Sequence, residues 1–398
     1  MQDCLARTKM QDYMAATESG IEMDTTHIGK RVKALREANG MKQTDLAEVL
    51  ELKDRQSVSA LENGTRRIAA DELVRVVEHF KVSIQDLTNP FLLFEKQGFS
   101  WRQNRVASAD LEKFEKTAGE WIGAFRVLSG SENLPRRKLL PNLRLTHQSR
   151  FEDAVAAGES VADLLDLPKD APAFALAKAI EEKFDILVLM VDAIPGVSGA
   201  ACHLPEINAI LINRNESPGR RRADLAHELF HILTWDVMQP EHVESSEFTL
   251  EGPLNRKTAR NERSEQLADN FNFGLLMPQW ALDALPEARE NAEWINAAAD
   301  KLGVTGLNLK WRLVNSNRVP GMKKVRREDL VELARRNPEE LKPALYSRRF
   351  MEVIGRAINR GELSIRRAAV MLAPSIEDFA QQFDAHDVER PEELRPRC

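Results

Sequence analysis

Ala223-Asp224-Leu225-Ala226-His227-Glu228-Leu229-Phe230-His231-Ile232-Leu233-Thr234-Trp235 is the stretch on which the reading of this chain turns. Positions i and i+4 of an α-helix stand one turn apart on the same face, so His227 and His231 present two imidazoles to one point in space. Glu228 sits beside the first of them, where its carboxylate can reach a water held at that point. Leu225, Leu229, Ile232 and Leu233 make the helix apolar enough to be buried, as a rigid ligand platform should be. The pattern is His-Glu-x-x-His: two metal ligands and a general base on one turn. A motif this short also arises by chance. A catalytic zinc site needs a third protein ligand and an open fourth position, so the search for that ligand decides the matter.

Downstream, Asn261-Glu262-Arg263-Ser264-Glu265-Gln266-Leu267-Ala268-Asp269-Asn270-Phe271 reads as a second helix, followed by Leu275-Leu276-Met277-Pro278. Glu262 and Glu265 are both candidates for the third ligand. Before the histidine helix the pattern changes period. Ile186–Val191, Ser198–His203 and Ile207–Asn213 read as strands broken by Pro195-Gly196 and Leu204-Pro205-Glu206. A small antiparallel sheet beside the metal helix is the expectation. His203 and His242 are further histidines in this region that can serve as oxyanion donors, although an ordinary surface or core histidine is the simpler reading of each. Arg220-Arg221-Arg222 can grip a carboxylate or phosphate, with a solvated charge run as the default.

Composition sets the frame. The chain has 398 residues, 43% hydrophobic and 30% charged, with a net charge of −6. That is ordinary for a globular protein of about two or three domains. It excludes nucleic-acid binding driven by bulk charge and leaves only a local patch. Cys4, Cys202 and Cys398 are too few and too scattered for a disulfide framework or a cysteine zinc site. No run is long and apolar enough to span a membrane, and the first 27 residues lack an apolar leader core. A cytoplasmic location and no membrane partner are expected. Helix formers dominate, so the fold class expected is mainly α with a small antiparallel β-sheet (α+β).

Residues 1–27 are polar and aperiodic and read as a disordered tail. From Ile28 short helices follow: Ile28 to the stop at Gly40, Thr44–Leu50, Arg55–Glu62 ending at Asn63-Gly64, Ala70–Phe80 and Ile84–Leu87. Several short helices with tight turns in so few residues suggest a helix-turn-helix over 28–90. Residues 91–170 read as a helical connector, with an apolar stripe through Leu111, Phe114, Ala118, Trp121, Ile122, Phe125 and Leu128. Residues 171–318 hold the metal motif. Residues 325–390 form a helical C-terminal module, in which Ser364 caps an arginine-bearing apolar helix.

Two resemblances sharpen this. Gln43-Thr44-x-Leu46-Ala47, then Gln56-Ser57-Val58-Ser59-x-x-Glu62-Asn63-Gly64, then Val82-x-Ile84-x-x-Leu87 resembles the Cro/C1-type (XRE) helix-turn-helix. The resemblance makes the helix around Arg55–Leu61 the recognition helix. It points to Gln43, Thr44, Lys53, Arg55, Gln56, Ser57 and Ser59 as DNA contacts; Gln reads adenine, Arg guanine, and Ser or Thr phosphate. Basic and acidic residues nearly balance between 28 and 90, so modest non-specific affinity is expected. The second resemblance rests on His227-Glu228-x-x-His231, Glu265-x-x-Ala268-Asp269-x-Phe271 and Leu275-Leu276-Met277-Pro278. It is similar to the ImmA/IrrE family of zinc metallopeptidases, with a zincin-like core. The resemblance implies Zn²⁺ on His227, His231 and Glu265, with Glu262 the fallback, and Glu228 as the catalytic base. Asn272 departs from the alanine frequent after the phenylalanine.

Together these imply a DNA-binding regulator, expected as a homodimer on a double-stranded operator. It carries a zinc endopeptidase that cleaves a helix-turn-helix repressor, itself or a partner, in a stress, mobile-element or defence response. The alternative is a transcription factor whose peptidase-like domain is a non-catalytic ligand or stress sensor. An antitoxin-like partner binder is the third reading.

Overall fold

The computed structural model describes residues 25–93, 98–130, 139–245, 256–331, 342–373 and 375–395. In chain order its main elements are α1 (Thr25–Ala38), α2 (Gln43–Val49), α3 (Arg55–Glu62), α4 (Ala70–Phe80), α5 (Ile84–Thr88), β1 (Phe99–Gln103), α6 (Ser108–Gly130), α7 (Phe151–Leu164) and α8 (Pro172–Ala179). Then come β2 (Leu187–Val191), β3 (Val197–His203), β4 (Asn208–Asn213), α9 (Pro218–Thr234), β5 (Val243–Ser245), α10 (Arg256–Leu276) and α11 (Gln279–Asp283). The last are α12 (Ala292–Leu302), α13 (Gly306–Asn315), α14 (Arg348–Asn359), α15 (Ile365–Leu372) and α16 (Ile376–Ala385). Mostly helix with one small sheet, this is the α+β class expected. The expected tail over 1–27 lies almost wholly outside the described residues, as do Cys4 and Cys398; Cys202 is buried. Among the described residues no helix is long and apolar enough to cross a membrane.

The chain forms two compact units. One comprises Met1–Lys96, Glu115–Leu134 and Glu352–Cys398; the other comprises Gln97–Phe114 and Pro135–Met351.

In the first unit, α1 to α5 close around Val32, Leu46, Leu50, Val58, Leu61, Val76 and Leu87. Helix α3 starts where the Asp54 carboxylate accepts the Ser57 N–H at 2.9 Å, satisfying a donor that the first turn leaves open. Buried polar groups fix the arrangement. Arg36 forks onto Glu62, donating from Nε at 2.6 Å and from Nη2 at 3.2 Å. Gln43 Nε2 adds a third bond to the same carboxylate at 2.8 Å. Arg31 donates to the carbonyls of Leu87, at 2.8 Å, and of Asn89, tying α1 to the end of α5. The Asn89 amide in turn donates to Glu120 of α6 at 2.7 Å and accepts from Arg367 of α15 at 2.8 Å. Trp121 Nε1 donates to the Met371 carbonyl at 3.0 Å.

In the second unit the strand order is β2-β4-β3-β1-β5. The β3–β4 and β1–β3 pairs are antiparallel, whereas β2–β4 and β1–β5 are parallel. The sheet is therefore mixed rather than wholly antiparallel. The reasons are two: β4, not β3, is the neighbour of β2, and β1 inserts from the stretch expected to be a helical connector and gives β5 a parallel neighbour. Helix α9 lies on β3 and β4 and is buried along nearly its whole length. Helix α10 packs on α9 and on α7, with Phe230 against Phe271 at 5.6 Å between ring centres. Leu275 and Leu276 end α10 inside the core, Met277 follows them there, and buried Arg312 donates to the Met277 carbonyl at 3.2 Å and to Glu159 at 2.5 Å.

Candidate metal centre

The two histidines are presented by α9, which Pro218 starts at a helix position where the missing N–H costs nothing. Both are buried, at 1% and 0% exposure for His227 and His231. Their Nε2 atoms stand 3.0 Å apart. Glu265 comes in from α10, with Oε2 3.1 Å from His227 Nε2 and Oε1 3.4 Å from His231 Nε2. One ligand atom from each of the three lies within 4.8 Å of the others. Donors about 2.1 Å from a tetrahedral zinc ion stand roughly 3.4 Å apart, so this N, N, O set needs shifts of only a few tenths of an ångström to fit such an ion.

A second observation agrees. Glu228 is fully buried, and neither of its carboxylate oxygens has a hydrogen-bond partner among the described residues. A buried carboxylate left without a partner costs free energy unless something else occupies its surroundings. Burial pushes its carboxyl up to about 7, against the pull of His227 and Arg102. Burial likewise takes the His231 imidazole down to about 3. Burial and Arg102 act the same way on His227, but Glu265 and Asp269 outweigh them and hold its proton on.

Asp269, one turn beyond Glu265 on α10, places Oδ1 3.2 Å from His227 Nδ1. A carboxylate can only accept, so Nδ1 carries the hydrogen and Nε2 is turned to the ligand cluster. Sequence reasoning quoted Asp269 but gave it no role; its i+4 spacing from Glu265 was the available signal. Glu262, the fallback ligand, is not in the converging set. Arg102 was missed altogether. It rises from β1 with Nη1 3.7 Å from Asp224 Oδ1, and its buried Nε has no partner among the described residues. Burial alone would lower its pKa; Asp224, Asp269, Glu228 and Glu265 together raise it and keep the guanidinium charged. The other histidines are engaged elsewhere: His203 bonds Asn208 at 2.8 Å and stacks on Trp235, and His242 Nδ1 lies 3.1 Å from the Phe99 carbonyl.

On the DNA side, Thr44, Lys53, Arg55 and Gln56 are exposed at the start of α2 and around the start of α3. Gln43, Ser57 and Ser59 are half-buried. Gln43 is held by Glu62, Ser57 caps back onto Asp54, and Ser59 Oγ accepts from Asn63 at 3.4 Å.

Comparison with known families now bears on both sites. A model described as a helix-turn-helix matches residues 32–87, and a peptidase-family model described as the IrrE N-terminal-like domain matches residues 181–312. The chain fuses a helix-turn-helix to an IrrE-like domain. The IrrE-like match takes in the whole candidate metal set and stops short of β1 and Arg102. No curated protein matches the chain. A solved structure, the apo form of the competence regulator ComR from Streptococcus vestibularis, matches 92% of this chain and 99% of that one at 10% identity, with a TM-score of 0.15. A superposition that poor carries no argument about fold or function.

Proposed function

We propose that this chain is a transcriptional regulator that binds a double-stranded DNA operator as a homodimer and carries a zinc-dependent endopeptidase. Its substrate is a helix-turn-helix repressor, itself or a partner, cut in a stress, mobile-element or defence response. The observation that carries the reading is the convergence of His227, His231 and Glu265 beside the unpartnered carboxylate of Glu228. His227, His231 and Glu265 are the residues that would hold the zinc. A bound zinc ion supplies Lewis acidity to a water and to a peptide carbonyl. Asp269 fixes the His227 ring. Glu228 takes one proton from the attacking water at a carboxylate oxygen as the water oxygen bonds to the carbonyl carbon. It then returns that proton to the amide nitrogen as the C–N bond breaks, so the two products carry the elements of water. On the operator, Lys53, Arg55 and Gln56 reach for DNA, with Gln43, Thr44, Ser57 and Ser59 beside them; a dimer reads half-sites about 34 Å apart.

Elemental mass spectrometry of protein purified without added metal tests the centre, with one zinc per chain as the expected result. Glu228→Gln is expected to keep the zinc and lose cleavage of a helix-turn-helix repressor. Cleavage by that variant removes Glu228 from the mechanism. Protein that takes up no zinc removes the peptidase and leaves the reading in which the peptidase-like domain is a non-catalytic sensor.

A further inference from the structure

Beside the metal centre, within the same compact unit, lies a cavity of about 630 Å³. Asp269 belongs to both, since it bonds His227 and lines the cavity. Arg102 lines it from β1, Arg220 from the first turn of α9, and Arg327 from its exposed rim. The start of α13 opens onto it as well. There the Thr305 hydroxyl takes the Asn308 N–H, and Gly306 and Leu307, the first two helical residues, line the wall. A helix has no internal partner for its first N–H groups, and its dipole favours an anion there. Asn272 is 5% exposed, lines the same cavity, and has an Oδ1 with no partner among the described residues.

The acidic groups of the wall narrow what can enter. Asp224 is shared by two guanidiniums, Arg220 at 3.0 Å and Arg102 at 3.7 Å. Asp269 is committed to His227. Glu216 remains as the third acid. With three carboxylates in the wall beside three guanidiniums, what draws an anion is Arg327 on the rim, the start of α13 and the Arg102 Nε that has no partner among the described residues, which suits a single negative charge better than a phosphate dianion. Asn272 Oδ1 and the acidic groups ask for hydrogen-bond donors on the same ligand. A carboxylate side chain carried on a peptide backbone, whose N–H groups supply those donors, has both features.

The geometry points to this cavity as a specificity pocket for an acidic residue, Asp or Glu, of the polypeptide bound at the metal centre. The assignment rests on the peptidase reading, and its test separates the two. The probes are blocked hexapeptides of alanine with one glutamate at each position in turn, and the same set with glutamine. Binding is measured by calorimetry to the zinc-loaded full-length Glu228→Gln protein, and cleavage of the same peptides by the unmodified chain is followed by mass spectrometry. At one position glutamate is expected to bind at least about tenfold tighter than glutamine, a difference of about 1.4 kcal/mol. Arg327→Glu, at the exposed rim, and Asn272→Leu are expected to shrink that preference severalfold. Should Asn272→Leu not fold, Arg327→Glu still decides. No preference for glutamate, or one unmoved in the folded variants, overturns the pocket, whether or not the peptides are cut. A preference without cleavage keeps the pocket and removes the peptidase. Equal affinity for free glutarate overturns the assignment to a polypeptide.

Discussion

Gly158 on α7 and Gly274 on α10 lie at the crossing of the two helices, each where a side chain would run into the other helix's backbone. A Cβ at Gly158 would lie 2.2 Å from the Phe271 carbonyl oxygen, and one at Gly274 would lie 2.0 Å from that of Val155. The crossing holds the helix that bears Glu265 and Asp269. Gly274→Ala is therefore expected to force the helices apart, costing about 1–3 kcal/mol in chemical denaturation, and to weaken zinc binding. A fully stable variant with unchanged zinc affinity would show that the crossing does not position the ligands.

Asp269→Asn keeps the size of the side chain and removes the charge that orients His227. Zinc affinity is expected to fall by about 10- to 100-fold, read by competition with a chelating dye. An unchanged affinity would leave the 3.2 Å contact without a role in metal binding.

Glu62 anchors the helix-turn-helix through Arg36 and Gln43, and its side chain is only 2% exposed. Glu62→Ala leaves the buried Arg36 guanidinium with only the exposed Glu37 and the Met41 carbonyl as partners, with an expected loss of about 1–3 kcal/mol in the unfolding of that unit. Gln43 is committed to this network, whereas Arg55 and Gln56 are exposed. Gln56→Ala or Arg55→Ala is expected to cost about 1–3 kcal/mol of operator affinity with stability unchanged. Gln43→Ala is expected to lower stability first. Gel-shift titrations beside thermal melts separate these outcomes.

Glu181 supplies a pH signature away from the metal. Its carboxyl accepts from Ser347 at 2.7 Å and from the Val188 N–H at 3.1 Å, yet burial pushes it up to about 7. The proton stays on in the folded chain after an unfolded chain has lost it near pH 4.5. The stability this group contributes is thus full below about 4.5 and is lost as pH rises through about 7. Glu181→Gln is expected to flatten that decline in urea titrations between those limits. A decline of unchanged size would assign it to another group.

Much of this was legible in advance because local chemistry decided it. The i, i+4 spacing of His227 and His231, the stop at Gly40 and the start of α3 at Arg55 all depend on residues within a turn or two. The second helix offered Glu262 and Glu265 alike, and only the family resemblance singled out Glu265, the one that stands with the two histidines. What escaped depended on distant partners. Phe99-Ser-Trp-Arg-Gln103 has none of the β-branched residues that mark β2 and β4, and it becomes a strand only by pairing with its neighbours, Phe99 opposite Cys202 of β3. Arg102 could not be placed at the metal centre until that strand was. The parallel pairing of β5 with β1 was hidden for the same reason.

The chain passes between its two compact units four times, and the DNA-binding unit is assembled from three separate stretches. A cut between Leu93 and Gly98 would sever the helix-turn-helix covalently while leaving its grip on the rest of its unit. Asn89 would still hold Glu120 and Arg367. If this protein is its own substrate, proteolysis does not release a soluble repressor fragment in the way that cutting a flexible tether would. It makes a nicked protein whose pieces separate only as fast as the unit opens, so the clock on the switch would be an unfolding rate.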